Sequence, residues 1–392
     1  MLPVHRLHWC NVLLQEQVLL PPSTRLFLGT REYSCCFPTP PTKRRPFNDA
    51  IIRCLVHDVF NSQVVVAQYM QVVVLAGGIG SRLRPWTNDV PKPLLPMLDA
   101  TLLERVVEGV PSDLVDEVIV AGGYKVDMIK DYFKTANVDF DVRIVPEDEP
   151  LGTGGALGNC RDIVSGRFAC FNGDIVSSLD VAPMLEQHSK MNVKGTLALW
   201  EVEDPTRFGI VGLDEGNKVT QFKEKPKPEE VFSNLINAGS YLLEDEVFDI
   251  MPKTKHSLER DVFPKLAEEG SLAGFPFEGY FIDAGTPSSW HDGVLRCIEE
   301  KRFKTGLVSQ GSWHQGRRTI ARNSMVQGGC IVAGEVNDST LLKGARVESG
   351  AVVSNCLIGE DAVIGRDAQL SGVVVGHRSI VPPGHIQSEG TF

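Results

Sequence analysis

The chain reads as an α/β protein, with a doubly wound, mostly parallel sheet followed by a short parallel β-helix. Three observations point there. A β-branched apolar run at residues 72–75 leads directly into a glycine-rich turn. Short apolar runs then alternate with amphipathic stretches to about residue 305, the pattern of a strand–helix fold. Beyond about residue 318 helical periodicity stops, and an aliphatic residue returns about every sixth position.

Residues 1–69 stand apart. They hold four of the nine cysteines (Cys10, Cys35, Cys36 and Cys54) and a Pro/Thr/Lys/Arg cluster ending at Arg45. The opening MLPVHRLHW lacks the long apolar core and small-residue cleavage site of a signal peptide. His5, His8 and Glu16 do not favour a mitochondrial presequence. Met70 precedes the first core strand directly, so 1–69 is expected to be a poorly ordered extension outside the natural protein, with a regulatory arm as the alternative.

Residues 70–305 form the expected main domain. The run at 72–75 suits a strand buried on both faces. EVIVA at 117–121 is a second strand, Val126–Phe133 a helix, 142–145 a third strand, and Phe168–Asn172 a fourth that ends at Gly173-Asp174. Gly195–Glu201, 219–222 and 235–242 continue the sheet. Ser257 caps a helix expected over 257–269, with acidic residues in its first turn. A short strand at 279–283 and an amphipathic helix at 287–301 close the domain. Over 318–388 the repeat is marked by Val347, Val353, Ile358, Ile364, Leu370, Val375 and Val381, with two five-residue steps as slips. Small residues separate these aliphatics, as the short flat faces of a stacked coil require, and three or four coils are expected.

Composition narrows the partners. A net charge of −11 argues against nucleic acid. No apolar run approaches the length that spans a membrane. The nine cysteines contain no C-x-x-C pair, which argues against structural zinc and for a reducing cytoplasm.

The chemistry gathers at residues 72–96, VVVLAGGIGSRLRPWTNDVPKPLLP. After Leu75 and Ala76, three glycines (Gly77, Gly78 and Gly80) fall within four positions. Glycine lets backbone N–H groups approach a ligand closely, and several such groups facing one concavity bind phosphate. Arg82 adds a planar fork of donors and Lys92 a point charge. Pro85, Pro91, Pro93 and Pro96 forbid an ordinary helix, so an extended loop across the top of the sheet is expected. The stretch is not a Walker loop, because Gly80 is followed by Ser81-Arg82 rather than Lys-Ser/Thr. Nor is it a dinucleotide fingerprint, because its spacing is G-G-x-G.

This stretch resembles the signature of the sugar-1-phosphate nucleotidyltransferases, L-A-G-G-x-G-x-R-L-x-P-x-T-x-x-x-P-K-P-L-x-P, and matches every fixed position. The resemblance implies a Rossmann-like catalytic domain with a left-handed hexapeptide β-helix behind it. It also implies transfer of a nucleotidyl group from a nucleoside triphosphate to a sugar-1-phosphate, with release of pyrophosphate. Leu75, Ala76, Gly77, Gly78, Gly80 and Arg82 would hold the nucleotide, and Arg82, Lys92 and Lys225 would neutralise charge during transfer. The attacking phosphate oxygen is already anionic, so charge neutralisation and alignment suffice. Asp174 in FNGD and Asp283 in GYFIDAGTP stand at strand ends, where α/β sheets place ligands, and match the family's two Mg²⁺ aspartates. Glu224 and Lys225 in the E-K-P segment, with Gly209 and Asn237, match the sugar-phosphate pocket. Gly152 in PLGTGGAL, expected as a loop over residues 150–157, and Glu147 before it match the base side. A carboxylate at Glu147 can accept two parallel N–H donors from guanine, which points to GTP.

INAGSYLL, SLERDVFP, FIDAGTP and the hexapeptide tail are most similar to the mannose-1-phosphate guanylyltransferase branch, so GTP and mannose-1-phosphate giving GDP-mannose is the leading expectation. Glucose-1-phosphate thymidylyl- or uridylyltransferase remains open. A non-catalytic paralogue should lack one of Arg82, Lys92, Asp174, Lys225 or Asp283, and all five are present. Acyl transfer by the β-helix would need a placed base, for which only His377 and His385 are at hand, both expected on the coil surface. A homo-oligomer is expected.

Overall fold

The structure is a computed structural model describing residues 25–28, 31–34, 70–147, 149–303, 307–309, 312–314 and 321–392. Two units are distinguished, Met1–Tyr69 and Met70–Phe392. In the first, Arg25–Leu28 pairs antiparallel with Arg31–Ser34, and the expectations for the remainder of 1–69 lie outside the described residues. In the second, β1 (Met70–Leu75) is followed by helix α1 (Leu102–Val107), β2 (Val115–Gly122), α2 (Val126–Phe133), β3 (Asp141–Pro146), α3 (Gly152–Gly158) and β4 (Phe168–Asn172). Then come β5 (Ile175–Ser177), α4 (Val181–Met191), β6 (Gly195–Glu201), β7 (Gly209–Leu213), β8 (Val219–Glu224) and β9 (Leu235–Leu243). α5 (Phe263–Glu268), β10 (Leu272–Pro276), β11 (Phe281–Asp283) and α6 (Pro287–Glu299) complete the domain.

The main sheet runs β8-β7-β9-β4-β1-β2-β3, with β6 joined to β9 and β10 to β6. β1 pairs in parallel with β2 on one side and β4 on the other, and β2 in parallel with β3. β9 is antiparallel to both β4 and β6, so the sheet is mixed beyond β4. Its strands alternate between two cores, as a doubly covered sheet must. Val73, Ile119, Phe168 and Cys170 face one layer, while Val72, Val74, Val118, Val120 and Phe171 face the other. Chain direction splits at β1, so its C-terminal end, with those of β2, β3 and β4, opens onto the switch-point crevice.

Three local expectations are corrected. Residues 81–96 are not extended: three 3-10 turns, Ser81–Leu83, Trp86–Asn88 and Lys92–Leu94, break the path. Proline bars a helix interior, yet a single turn tolerates it at the start, and Pro85 and Pro91 precede two of these turns. Residues 150–157 are largely helical rather than a loop, because burial of Gly154, Gly155, Ala156 and Leu157 outweighs the low helix propensity of glycine. Over 257–269, Ser257 does cap the segment, but the first turn is a wide one, Leu258–Val262, before α5.

The repeat folds as a parallel β-helix, consistent with the left-handed form. Register stacks Val353 on Leu370, Ile358 on Val375, and Val347 on Ile364 and Val381, and all seven marker residues are buried. The two five-residue steps, Val353 to Ile358 and Leu370 to Val375, fall at the same corner of successive coils. They are part of the repeat, not slips. One face carries four stacked strands. No helix among the described residues is long and apolar enough to cross a membrane.

The β-helix is joined to the sheet domain through α6. Trp290, Val294 and Cys297 pack with Leu83, Trp86 and Met97 on one side and with Trp313, Met325 and Leu357 on the other. The Trp290 indole N–H donates to the Pro96 carbonyl at 3.1 Å. His291 Nδ1 meets Thr340 Oγ1 at 2.8 Å. Trp290→Ala is expected to cost roughly 3–5 kcal/mol by opening a cavity here. Ile380→Ala, at an outward position 70% exposed, should stay within about 0.5 kcal/mol. Thermal unfolding of both variants against the parent checks the contrast.

Candidate functional site

Four strand ends meet along one edge. β1 ends beside Ala121 of β2 and Asn172 of β4, and Gly122 pairs with Pro146 of β3. The glycine turn therefore sits between Asp174 on one side and Glu147 on the other. The Gly173 N–H donates to the Leu75 carbonyl at 2.9 Å, and the Ala76 N–H to the Ala121 carbonyl at 2.7 Å. Gly80 adopts φ 68°, a left-handed conformation, and its carbonyl accepts from the Thr87 hydroxyl at 2.7 Å. A side chain at Gly77 would run into the Glu147 carboxylate, with its Cβ 2.7 Å from Oε2. Gly78 faces open space, and Arg82 is exposed.

Asp174 and Asp283 lie next to each other, as their sequence contexts suggest. β5 and β11 form an antiparallel ribbon in which Asp283 opposes Ile175, and the Ala284 N–H donates to the Asp174 carbonyl at 2.8 Å. Lys92 reaches down from its turn to Asp174, Nζ to Oδ2 2.6 Å, with its side chain only 12% exposed. The Arg82 guanidinium stands over the ribbon. A Cβ at Gly285 would lie 2.7 Å from Arg82 Nη2 and 2.8 Å from Asp283 Oδ1, so only glycine leaves room for both. Burial pushes the Asp283 carboxyl above its usual range and the neighbouring Asp174 charge adds to this, while Lys92, Arg82 and Arg207 pull the other way.

A second cluster lies across the sheet. Glu224 ends β8, and Lys225 Nζ stands 3.5 Å from its Oε1. Gly209 faces them, where a Cβ would meet Glu224 Oε2 at 2.9 Å. Burial and the Glu259 charge raise the Glu224 carboxyl, against Lys225 and Arg260. The Asn237 amide donates to the Tyr241 hydroxyl at 3.0 Å, and its carbonyl accepts from the Gly239 N–H at 3.0 Å. Gly239, at φ 67°, rests against Asn172 at the end of β4, which joins this cluster to the first.

On the far side, burial raises the Glu147 carboxyl, opposed by the Leu151 N–H. Gly152, at φ 76°, opens α3 where a Cβ would strike the His256 carbonyl at 2.5 Å. Three buried acceptors in and beside these clusters lack a hydrogen-bond partner within the chain: Glu147 Oε1, Asn172 Oδ1 and Asp283 Oδ1. Lone acceptors of this kind suit donors or a cation supplied from outside.

The structure thus gathers Leu75 to Gly80, Arg82, Lys92, Asp174 and Asp283 into one crevice, with Glu147 and Gly152 at one end and Gly209, Glu224, Lys225 and Asn237 at the other. Arg207, Glu259 and Gly285 were missed by sequence reasoning. Gly285 was visible inside FIDAGTP, and Glu259 inside SLERDVFP, but a lone Arg before Phe208 carries no signal of its own. His377 also departs from expectation: it is half-buried, its ring 5.7 Å from Trp86 of the signature turn, while its Nδ1 accepts from the Glu360 N–H at 2.9 Å.

The nucleotidyl transferase family model matches residues 71–300, and a GlmU-like C-terminal hexapeptide model matches residues 310–387. Mannose-1-phosphate guanylyltransferase 1 of Arabidopsis thaliana is 30% identical, covering 80% of this chain and 87% of its own. The mannose-1-phosphate guanylyltransferase catalytic subunit beta of Xenopus tropicalis is also 30% identical, covering 78% of this chain and 90% of its own. A Bacillus anthracis structure that carries the name glucose-1-phosphate thymidylyltransferase, in complex with sucrose, aligns with a TM-score of 0.53 at 25% identity, over 61% of this chain and 98% of that one.

Because burial and the neighbouring Asp174 charge both oppose ionisation of Asp283, Asp283→Asn should stabilise the protein in chelator at pH 8. The sign follows from linkage: a carboxyl raised in the folded state weakens the fold above its raised pKa and ceases to do so once protonated. The gain in unfolding midpoint should therefore fade as the pH falls, which thermal melts across a pH series would read.

Proposed function

The chain belongs to the nucleotidyl transferase family and is a sugar-1-phosphate nucleotidyltransferase, and on that premise we propose that its nucleotide is GTP and its sugar mannose-1-phosphate. The observation that carries the base assignment is Glu147, a half-buried carboxylate set against Gly77 with Oε1 unpaired. It can accept two N–H donors from the guanine edge, which uracil and thymine do not present. The named relatives support the sugar.

The sugar end is assigned to Glu224 for hydroxyls, Lys225 for the phosphate, and Gly209 and Asn237 for shape. In the reaction a sugar-phosphate oxygen forms a bond to the α-phosphorus, and the bond from that phosphorus to the β-phosphate oxygen breaks, releasing pyrophosphate. No base is required, because the attacking oxygen is already anionic. Arg82, Lys92 and the N–H groups of residues 77–80 take up the charge of the triphosphate, as preorganised donors in a partly dry crevice.

We assign a divalent metal, Mg²⁺, to Asp174 and Asp283. The donor set fits: two adjacent carboxylates, with Asp283 Oδ1 buried and unpartnered. Magnesium needs only one or two protein carboxylates and keeps several waters. When bound, it supplies further charge neutralisation at the phosphates.

A panel of sugar-1-phosphates against four nucleoside triphosphates, scored by pyrophosphate release, should peak at GTP with mannose-1-phosphate. A peak at TTP or UTP with glucose-1-phosphate would replace the substrate reading. Arg82→Ala and Lys92→Ala should each lower turnover by about 100-fold or more with the fold intact. Glu147→Gln should cut the preference for GTP over UTP by roughly 1–3 kcal/mol, the range of a bidentate base contact.

A further inference from the structure

Glu259 holds none of the roles above, yet it bears on residues of both ends of the crevice, Thr153 and Glu224. We propose that Glu259 is a positioning residue that ties the nucleotide-side helix α3 to the sugar-side carboxylate Glu224, so that seating the nucleotide sets the acceptor for the sugar. The proposal rests on the assignment of those two ends made above.

Glu259 Oε2 accepts from two hydroxyls, Thr153 Oγ1 and Ser257 Oγ, each at 2.6 Å. Thr153 Oγ1 in turn accepts from the Leu258 N–H at 3.0 Å, and Ser257 Oγ from the Arg260 N–H at 3.3 Å. A hydroxyl has one proton to give, so both are committed to Glu259 and the ring needs an acceptor there. Backbone bonds lock the same two segments. His256 donates to the Leu151 carbonyl at 3.1 Å, and Gly154 and Gly155 donate to the His256 carbonyl at 3.1 and 3.3 Å. Residues 151–155 and 256–260 therefore move together.

On its other side the segment that carries Glu259 packs against the sugar-side strands, the Phe263 ring lying 5.7 Å from that of Phe222 on β8 and 4.9 Å from that of Tyr241 on β9, and there Glu259 acts by charge. The charged groups that bear on Glu224 are Glu259, Lys225 and Arg260, and Glu259 is the one that opposes its ionisation. Burial raises the Tyr241 hydroxyl, which accepts from the Asn237 amide, and the same Glu259 charge adds to this. One carboxylate thus gives its hydrogen-bonding capacity to the nucleotide side and its field to the sugar side. A shift of α3 carries Glu259 with it and alters how readily Glu224 accepts hydroxyl donors.

Two conservative variants separate this from a structural role. Glu259→Gln keeps size and an acceptor but removes the charge, and Thr153→Val keeps shape but breaks the tie. Both are measured with the substrate pair that the parent protein turns over fastest in the panel. A wrong choice of GTP or mannose-1-phosphate then shows in the parent and leaves this test intact. Calorimetric titration of the sugar-1-phosphate, with and without a non-hydrolysable triphosphate, reads the coupling between ends. Each single variant should lose about fivefold or more of that coupling, and the double variant no more than the worse single one. Glu259→Gln should also move the acid limb of kcat/KM for the sugar-1-phosphate to lower pH, because Glu224 accepts hydroxyls with both oxygens only when ionised and has lost an opposing charge. Titration of the substrate phosphate is common to both proteins. Additive losses, an unmoved acid limb or a parent without coupling would each overturn the proposal. If Glu259→Gln does not fold, Thr153→Val and Thr153→Ser decide: loss in the first with recovery in the second supports the tie, and parent-like coupling in Thr153→Val ends it.

Discussion

Asp174 and Asp283 are kept side by side against their mutual repulsion, and much of the crevice follows from that constraint. The β5–β11 ribbon sets their backbones together through the Ala284 to Asp174 hydrogen bond. Such a pair in a half-buried place needs cations, and the chain brings them from one loop, Lys92 onto Asp174 and Arg82 over Asp283. The loop must turn to deliver both, which is why its prolines sit beside 3-10 turns and why Gly285 leaves space under the guanidinium. Each piece is local, but none makes sense without the carboxylates.

The α/β order and the crevice were largely readable because strong physical signals carry them. Buried strands announce themselves by unbroken apolar runs, and phosphate sites by glycines that a strand needs nowhere else. What could not be read were the outcomes of packing. Helix α3 has four glycines in seven residues, and only contact with His256, against which a Cβ at Gly154 would collide, explains why it is helical. Strands β7 and β10 lack a distinctive period of their own and are defined by pairing with β8 and β6. Glu259 belonged to a visible motif, but its partners Thr153 and Glu224 lie far off in sequence, and no spacing rule reaches them.

The β-helix was legible for a different reason. Its stacking is one-dimensional, so each coil repeats the demands of the last, and periodicity alone locates the inward residues. The five-residue steps show the limit of that argument: a sequence shows a break in period, whereas only the stacked register shows that the break recurs at one corner.

Trp86 lies between Trp290 at 6.2 Å and His377 at 5.7 Å, so the signature turn is clasped by a helix of the catalytic domain and by a late coil of the repeat. A glycine-rich segment would otherwise lose much conformational entropy on closing around any ligand. Here part of that loss is incurred during folding, before any substrate arrives. The β-helix thereby acts as a splint for this turn, and a segment already held in place has less freedom left to lose when it meets a ligand.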